Sequence, residues 1–246
     1  MREAGVRNAT LLTLACVLLG ARAASRPVQT RAVALPPGVV LQRYAAALAA
    51  LPRPKSISFD YTVEQLGLRN LEQTHRVYRS GLRERDETVV VDGYVLTRPA
   101  IRIFNNRTYR YDISSIAPKA ATYAFVFAGV VRTNDGYGYV YRTAARAPGS
   151  FAVSEIEIDG RTFLPSIVRF KIAGGGAHGS GALQYGRSEL YWVVREVRVN
   201  ARLTDGTTAH ERIAWTNYQF PTGLPPSTFD APHAVATEAP TVPLAP

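Results

Sequence analysis

Apolar and polar residues alternate with a period of two along most of this chain. Ile57, Phe59, Tyr61 and Val63 alternate with Ser58, Asp60, Thr62 and Glu64. Successive side chains of a strand point to opposite faces, so the pattern predicts a strand with one face buried. Strand-like stretches follow at 74–83 and 88–91, and 101–104 and 108–113 flank Asn105-Asn106, a pair suited to a tight turn. Further on, Ile156 and Ile158 alternate with Glu155 and Glu157, and Val168, Phe170 and Ile172 with Arg169 and Lys171. Folded as a hairpin, that segment sets an aliphatic face against one where two carboxylates oppose two cations. Residues 191–203 read as a long strand, with Val197, Val199, Ala201 and Leu203 on one side, returning through 213–220.

Four Asp-Gly pairs, at Asp92-Gly93, Asp135-Gly136, Asp159-Gly160 and Asp205-Gly206, punctuate these runs. Both residue types tolerate the positive φ of a two-residue hairpin turn. The expectation is a meander of antiparallel strands, each beside its sequence neighbour. The glycine-rich run 174–181 reads as a flexible loop. Residues 118–131 are ambiguous between a short helix at the start and a strand at the end.

One segment has helical spacing. In residues 39–51, Val40, Leu41, Tyr44, Leu48 and Leu51 recur at intervals of three, four and seven, and Pro52 and Pro54 end the pattern. A single such helix, about 20 Å long at the usual rise per residue, cannot cover the apolar face of so long a sheet.

The first residues change the picture of where the chain works. Arg2 and Arg7 precede a short apolar run from Leu11 to Leu19, and Ala21-Arg22-Ala23 supplies small residues for a signal peptidase. The run is too short to span a bilayer, so residues 1–23 are expected to be a cleaved export signal. Lipidation at Cys16 is the less favoured alternative. Residues 24–38 then read as a flexible segment, 39–232 as one domain, and 233–246 as a Pro- and Ala-rich tail with too little bulk to fold. Cys16 is the sole cysteine, so a mature chain would lack disulfides and thiol chemistry. A bacterial periplasm fits that usage better than a eukaryotic secretory route.

The net charge is +10, and the three arginines and one glutamate of the export segment leave +8 without them. Only Lys55, Lys119 and Lys171 are lysines; the arginines are scattered along strands beside acids, as in Arg83-Glu84-Arg85-Asp86-Glu87. A nucleic-acid binder concentrates its charge in a patch, so nucleic acid is disfavoured. Attraction to an anionic membrane surface stays open. Reactive constellations are scarce. His75, His178, His210 and His233 have no zinc-ligand spacing, and Ser180 lacks the elbow context of a nucleophile. The glycine run has no phosphate-loop lysine, and Glu155 with Glu157 share a solvent face. No metal, cofactor or catalytic residue is expected.

The order of elements is familiar. An Ala/Leu-rich helix leads to the strand Phe59-Asp60-Tyr61-Thr62-Val63-Glu64; Phe104-Asn105-Asn106-Arg107-Thr108-Tyr109-Arg110-Tyr111 follows; Leu224-Pro225-Pro226-Ser227-Thr228-Phe229 comes near the end. The chain thereby resembles the LolA/LolB-like lipoprotein-carrier superfamily, with its RseB-type sensors and mycobacterial glycolipid carriers. The resemblance implies a mainly β fold: a curved antiparallel half-barrel of about eight to eleven strands, its concave face capped by helices and able to take up acyl chains. Phe59, Tyr61, Ile103, Ile158, Phe170 and Val199, on the apolar sides of their strands, are the candidate lining. An arginine that holds the family's lid closed would fall at Arg98 or Arg83. The implied role is a monomeric, non-enzymatic carrier of lipid or lipoprotein acyl chains. The alternative is a sensor binding protein or polysaccharide through a basic surface.

Overall fold

Pairing between sequence neighbours builds almost the whole molecule. The computed structural model describes residues 35–67, 70–105, 112–133, 136–174 and 176–230. Helix α1 (Pro37–Ala49) precedes β1 (Ser56–Leu66), β2 (Leu71–Ser80), β3 (Arg83–Val91) and β4 (Tyr94–Asn105). A one-turn helix, α2 (Ile113–Ile116), leads to β5 (Tyr123–Thr133), β6 (Gly136–Ala145), β7 (Phe151–Asp159) and β8 (Pro165–Gly174). Then come β9 (Ala177–Ser188), β10 (Tyr191–Leu203), β11 (Thr208–Gln219) and a 3-10 turn, Pro226–Phe229. The expected export signal, the tail from residue 231 and the 108–111 part of the expected strand 108–113 lie outside the described residues.

All eleven strands form one antiparallel sheet in the order β4-β3-β2-β1-β11-β10-β9-β8-β7-β6-β5. The one long-range closure is β1 against β11, with Tyr61 opposite Trp215 and Val63 opposite Ile213. Strands β4 and β5 are the two edges and do not pair with each other, so the sheet is an open, curved half-barrel, as the sequence implied.

The local chemistry explains the elements. Pro37 opens α1, where its missing N–H would have had no partner. Ala50 closes the last turn by donating to Ala46 O, and Pro52 keeps Leu51 out of the helix. The helix therefore spans 37–49 where the periodicity predicted 39–51. At Asp92-Gly93, φ of 49° and 81° makes a two-residue hairpin turn. Asp159 and Asp205 act otherwise: their carboxylates accept from backbone N–H groups of Thr162 and Thr207 and organise longer loops. Asp135 lies outside the described residues.

Three expectations are corrected. In the run 174–181, Gly174 pairs with Ala177 and residues 177–181 belong to β9, where the missing side chains of Gly179 and Gly181 admit neighbours. A Cβ on Gly181 would sit 2.4 Å from the Phe170 ring and 2.5 Å from Arg198 O. The second helix starts at Ile113 rather than near Lys119; Asp112 caps it by accepting from Ser114 N. On the β7–β8 hairpin, Glu155 meets Arg169 at 3.1 Å, but the same register sets Glu157 opposite Ile167, and Ser166 donates to its carboxylate instead.

Candidate functional site

Alternation gives the sheet one face for the core. Phe59, Val63, Val77, Ile213, Val197 and Val199 occupy it on the β2-to-β10 side. Leu183, Val168, Phe170, Ile156, Ile158 and Tyr139 continue it toward β6, and each of these last six is at most 1% exposed. Three tyrosines anchor α1 above this second half. Leu35 N–H donates to Tyr139 Oη (3.0 Å), Tyr141 Oη donates to Pro37 O (2.8 Å), and Tyr44 Oη donates to Pro118 O (2.6 Å). Val40 is fully buried and Tyr44 nearly so, its ring edge-on to Phe125. Burial drives the phenols of Tyr44 and Tyr141 to stay neutral; Tyr141 is pushed up to about 12.

Away from the helix, the same face is polar. Tyr61 stacks on His75 with ring centroids 4.5 Å apart and donates to Asp86 Oδ2 at 2.8 Å. His75, buried, meets Asp86 Oδ1 through Nδ1 at 2.8 Å. Nearby, Gln65 Nε2 donates to the buried Glu211 carboxylate at 2.5 Å. The cluster superficially suggests acid–base chemistry. However, the Thr88 hydroxyl lies 3.4 Å from the same Nδ1 that meets Asp86, and Nε2 faces the Gln73 amide oxygen at 3.4 Å. Both ring nitrogens thus face oxygens of neighbouring side chains within the sheet, which tie the imidazole to β2 and β3. Among the described residues no group of three or more His, Cys, Asp or Glu could hold a metal ion.

Open volume lies beside the helix. A cavity of about 440 Å³ runs along α1, walled by Leu41, Tyr44, Ala45, Leu48 and Ala49 and by Phe125 of the β5 edge. Arg53, Ser114 and Lys119 border it. A second cavity, about 470 Å³, lies past the end of α1 against Leu51, Ile57, Leu82 and Val193. It carries the cations Arg53, Lys55 and Arg79, and its acidic wall residue is Asp112. Both volumes fall in the range of about 300–1,000 Å³ typical of small-molecule sites. Arg53 and Ser114 wall both cavities, and Arg53 Nη2 donates to Ser114 Oγ at 3.1 Å.

The residues proposed for the lining fall elsewhere. Phe59, Ile158, Phe170 and Val199 share the core face but are at most 3% exposed, packed by their own neighbours. Tyr61 belongs to the polar cluster with His75 and Asp86. Ile103 pairs with Arg85 in β3, on the face opposite Asp86. None of the six borders either cavity. Arg98 is exposed on edge strand β4. Arg83 lies over the Phe229 ring at 4.9 Å and donates to Phe229 O, pinning the 3-10 turn to β3. Its neighbour in sequence, Glu84, turns to the other face and pairs with Arg79 at 3.2 Å. Arg53, Lys119 and Arg79 were missed. A cation held between Pro52 and Pro54, directly after an apolar helix, was the readable signal.

No protein-family model matches the chain, and no curated protein matches it in sequence. Solved structures with a similar course include a DUF1329 family protein from Desulfovibrio piger, 9% identical, over 78% of this chain and 96% of that one, with a TM-score of 0.43. A LolA superfamily protein from Nitrosomonas europaea is 10% identical over 80% of this chain and 99% of its own, at 0.41. An outer membrane lipoprotein-sorting protein domain from Vibrio parahaemolyticus is 12% identical over 77% and 95%, at 0.42. At scores below 0.5 these likenesses concern the outline of the chain and bear on neither ligand nor partner.

Proposed function

We propose that the protein is a non-enzymatic carrier that holds a lipid acyl chain in the cavity beside α1, exported to a bacterial envelope. The observation that carries this reading is the apolar trough of about 440 Å³ between the helix and the free edge of an open sheet. Its walls are side chains of Leu, Ala, Tyr and Phe, which offer a hydrocarbon chain contact without demanding hydrogen bonds. Removing apolar surface from water there contributes about 25 cal/mol per Å². The basic n-region, the apolar run and Ala21-Arg22-Ala23 support export. No helix among the described residues is long and apolar enough to cross a membrane.

Ala45 sits on the cavity wall and is exposed, so Ala45→Trp fills the trough without disturbing the core. Titration with a fluorescent fatty-acid probe tests the reading. Binding by the wild type, with loss of at least tenfold in Ala45→Trp at unchanged melting temperature, is the expected outcome. Absence of probe binding by the wild type sinks it.

A specific observation also favours an interaction module, one that pairs through a sheet edge rather than through the basic surface expected from the sequence. Edge strand β5 carries no charge from Tyr123 to Val131 and exposes Val126 (64%) and Val130 (44%), whereas the other edge, β4, carries Arg98, Pro99 and Arg102. Unguarded edges accept an added strand from a partner.

A further inference from the structure

The two cavities differ in chemistry and share a wall. The one beside α1 is lined mostly by hydrocarbon; the one beyond the helix end brings together Arg53, Lys55 and Arg79 against a single acidic wall residue. The carboxylate of that residue, Asp112, is already committed to Ser114 N at the start of α2. Arg79 is likewise engaged, through Glu84 and the carbonyl of Gly81. Arg53 and Lys55 are exposed; Arg53 stands at the junction and Lys55 in the second cavity. Of the five donors of its guanidinium, Arg53 spends one on Ser114 Oγ. Pro52 and Pro54 fix φ on either side of it, so the chain carrying Arg53 is stiff and the cation is held at the boundary before any ligand arrives.

We infer that the ligand is an anionic lipid, its chain in the trough beside α1 and its negatively charged head in the second cavity, met by Arg53 and Lys55. The inference rests on the carrier reading above and specifies its substrate class. A neutral chain of equal length gains only the apolar contact. A head with negatively charged oxygens adds charge-assisted hydrogen bonds from a guanidinium that can bind two oxygens at once. Lys119, on the border of the trough, adds positive potential near the mouth. The head chemistry is shared by a fatty-acid carboxylate and a phospholipid phosphate, and the ligands compared below separate these two.

The test displaces the fluorescent probe from the full mature chain with four competitors of matched chain length: a fatty acid, a fatty alcohol, lysophosphatidylglycerol and lysophosphatidylcholine. The fatty acid and lysophosphatidylglycerol should compete about tenfold better than the alcohol, which corresponds to about 1.4 kcal/mol. The order between those two names the preferred head. The advantage should shrink as salt rises from about 0.05 M to 0.5 M, as screening of partly exposed charges requires. In the variant carrying Arg53→Gln and Lys55→Gln, the fatty acid should fall to the level of the alcohol. Arg202→Gln, at an exposed position of β10, should keep the preference. If all four competitors displace the probe equally, or if the double variant retains the preference, the head-group inference is wrong while chain binding stands. If the probe itself does not bind, the carrier reading fails first.

Discussion

Arg53 donates a hydrogen bond to Ser114 Oγ at 3.1 Å across 61 residues of sequence, and this pair forms the common wall of both cavities. It ties the end of the α1 segment to α2, the linker between the two edge strands β4 and β5. The bond is exposed, so it contributes little to stability, on the order of 1 kcal/mol. Its importance is positional. It sets a cation where an apolar trough meets a basic one.

Close packing at one glycine of the sheet makes a sharp stability prediction. Gly181 lies between Phe170 and the backbone of Arg198, and a methyl group there would come within 2.4 Å of the ring. Gly181→Ala should cost about 1–3 kcal/mol through forced displacement of Phe170. For a chain this size that lowers the melting temperature by about 2–4 °C per kcal/mol. Differential scanning calorimetry reads it, and an unchanged midpoint would mean that β9 is not packed as described.

Val199→Trp would narrow an open hollow if Val199 lined one. Val199 is 1% exposed and faces Gly181 on β9 and Glu211 on β11. The substitution should therefore overpack the core and lower the melting temperature by a comparable amount. Probe affinity in the folded fraction should stay near wild type, because the trough beside α1 is elsewhere. A variant that loses probe binding at an unchanged melting temperature would restore Val199 to a ligand cavity.

Glu196 supplies a pH test. Burial opposes its ionisation, yet hydrogen bonds from Arg198 and from Arg212 (2.9 Å) outweigh that and hold its carboxyl below the usual range. Its folded pKa lies under the unfolded value of about 4.3, so its stabilisation is present above that value and lost as pH falls through the folded one. The stability gap between wild type and Glu196→Gln should be constant from about pH 8 to 5 and close as pH drops toward 3. Chemical denaturation across that range checks it. A gap independent of pH would place the stabilisation outside the ionised pair.

The periodicity in the sequence was a good guide to strands and a poor guide to the cavity. Phe59, Ile158, Phe170 and Val199 were legible as one apolar face because alternation encodes facing directly. Strand β9 was hidden, since Gly179 and Gly181 look like loop residues until Phe170 and Ala201 occupy the space their side chains lack. Ile103 was misplaced because β3 carries its buried acid at Asp86, which puts Arg102 and not Ile103 on the inner face. The position of the cavity depends on where α1 rests. Hydrogen bonds that Tyr44 and Tyr141 donate and Tyr139 accepts, with partners 74 to 104 residues away, decide that, and no local pattern announces them.

Native mass spectrometry of the protein purified from the envelope without delipidation tests the central claim most directly. The account predicts a population heavier than the mature polypeptide by the mass of one lipid, released on collisional activation and absent from Ala45→Trp. A single peak at the polypeptide mass, from preparations whose extract contains abundant lipid and whose protein also fails to bind the fatty-acid probe, would contradict it.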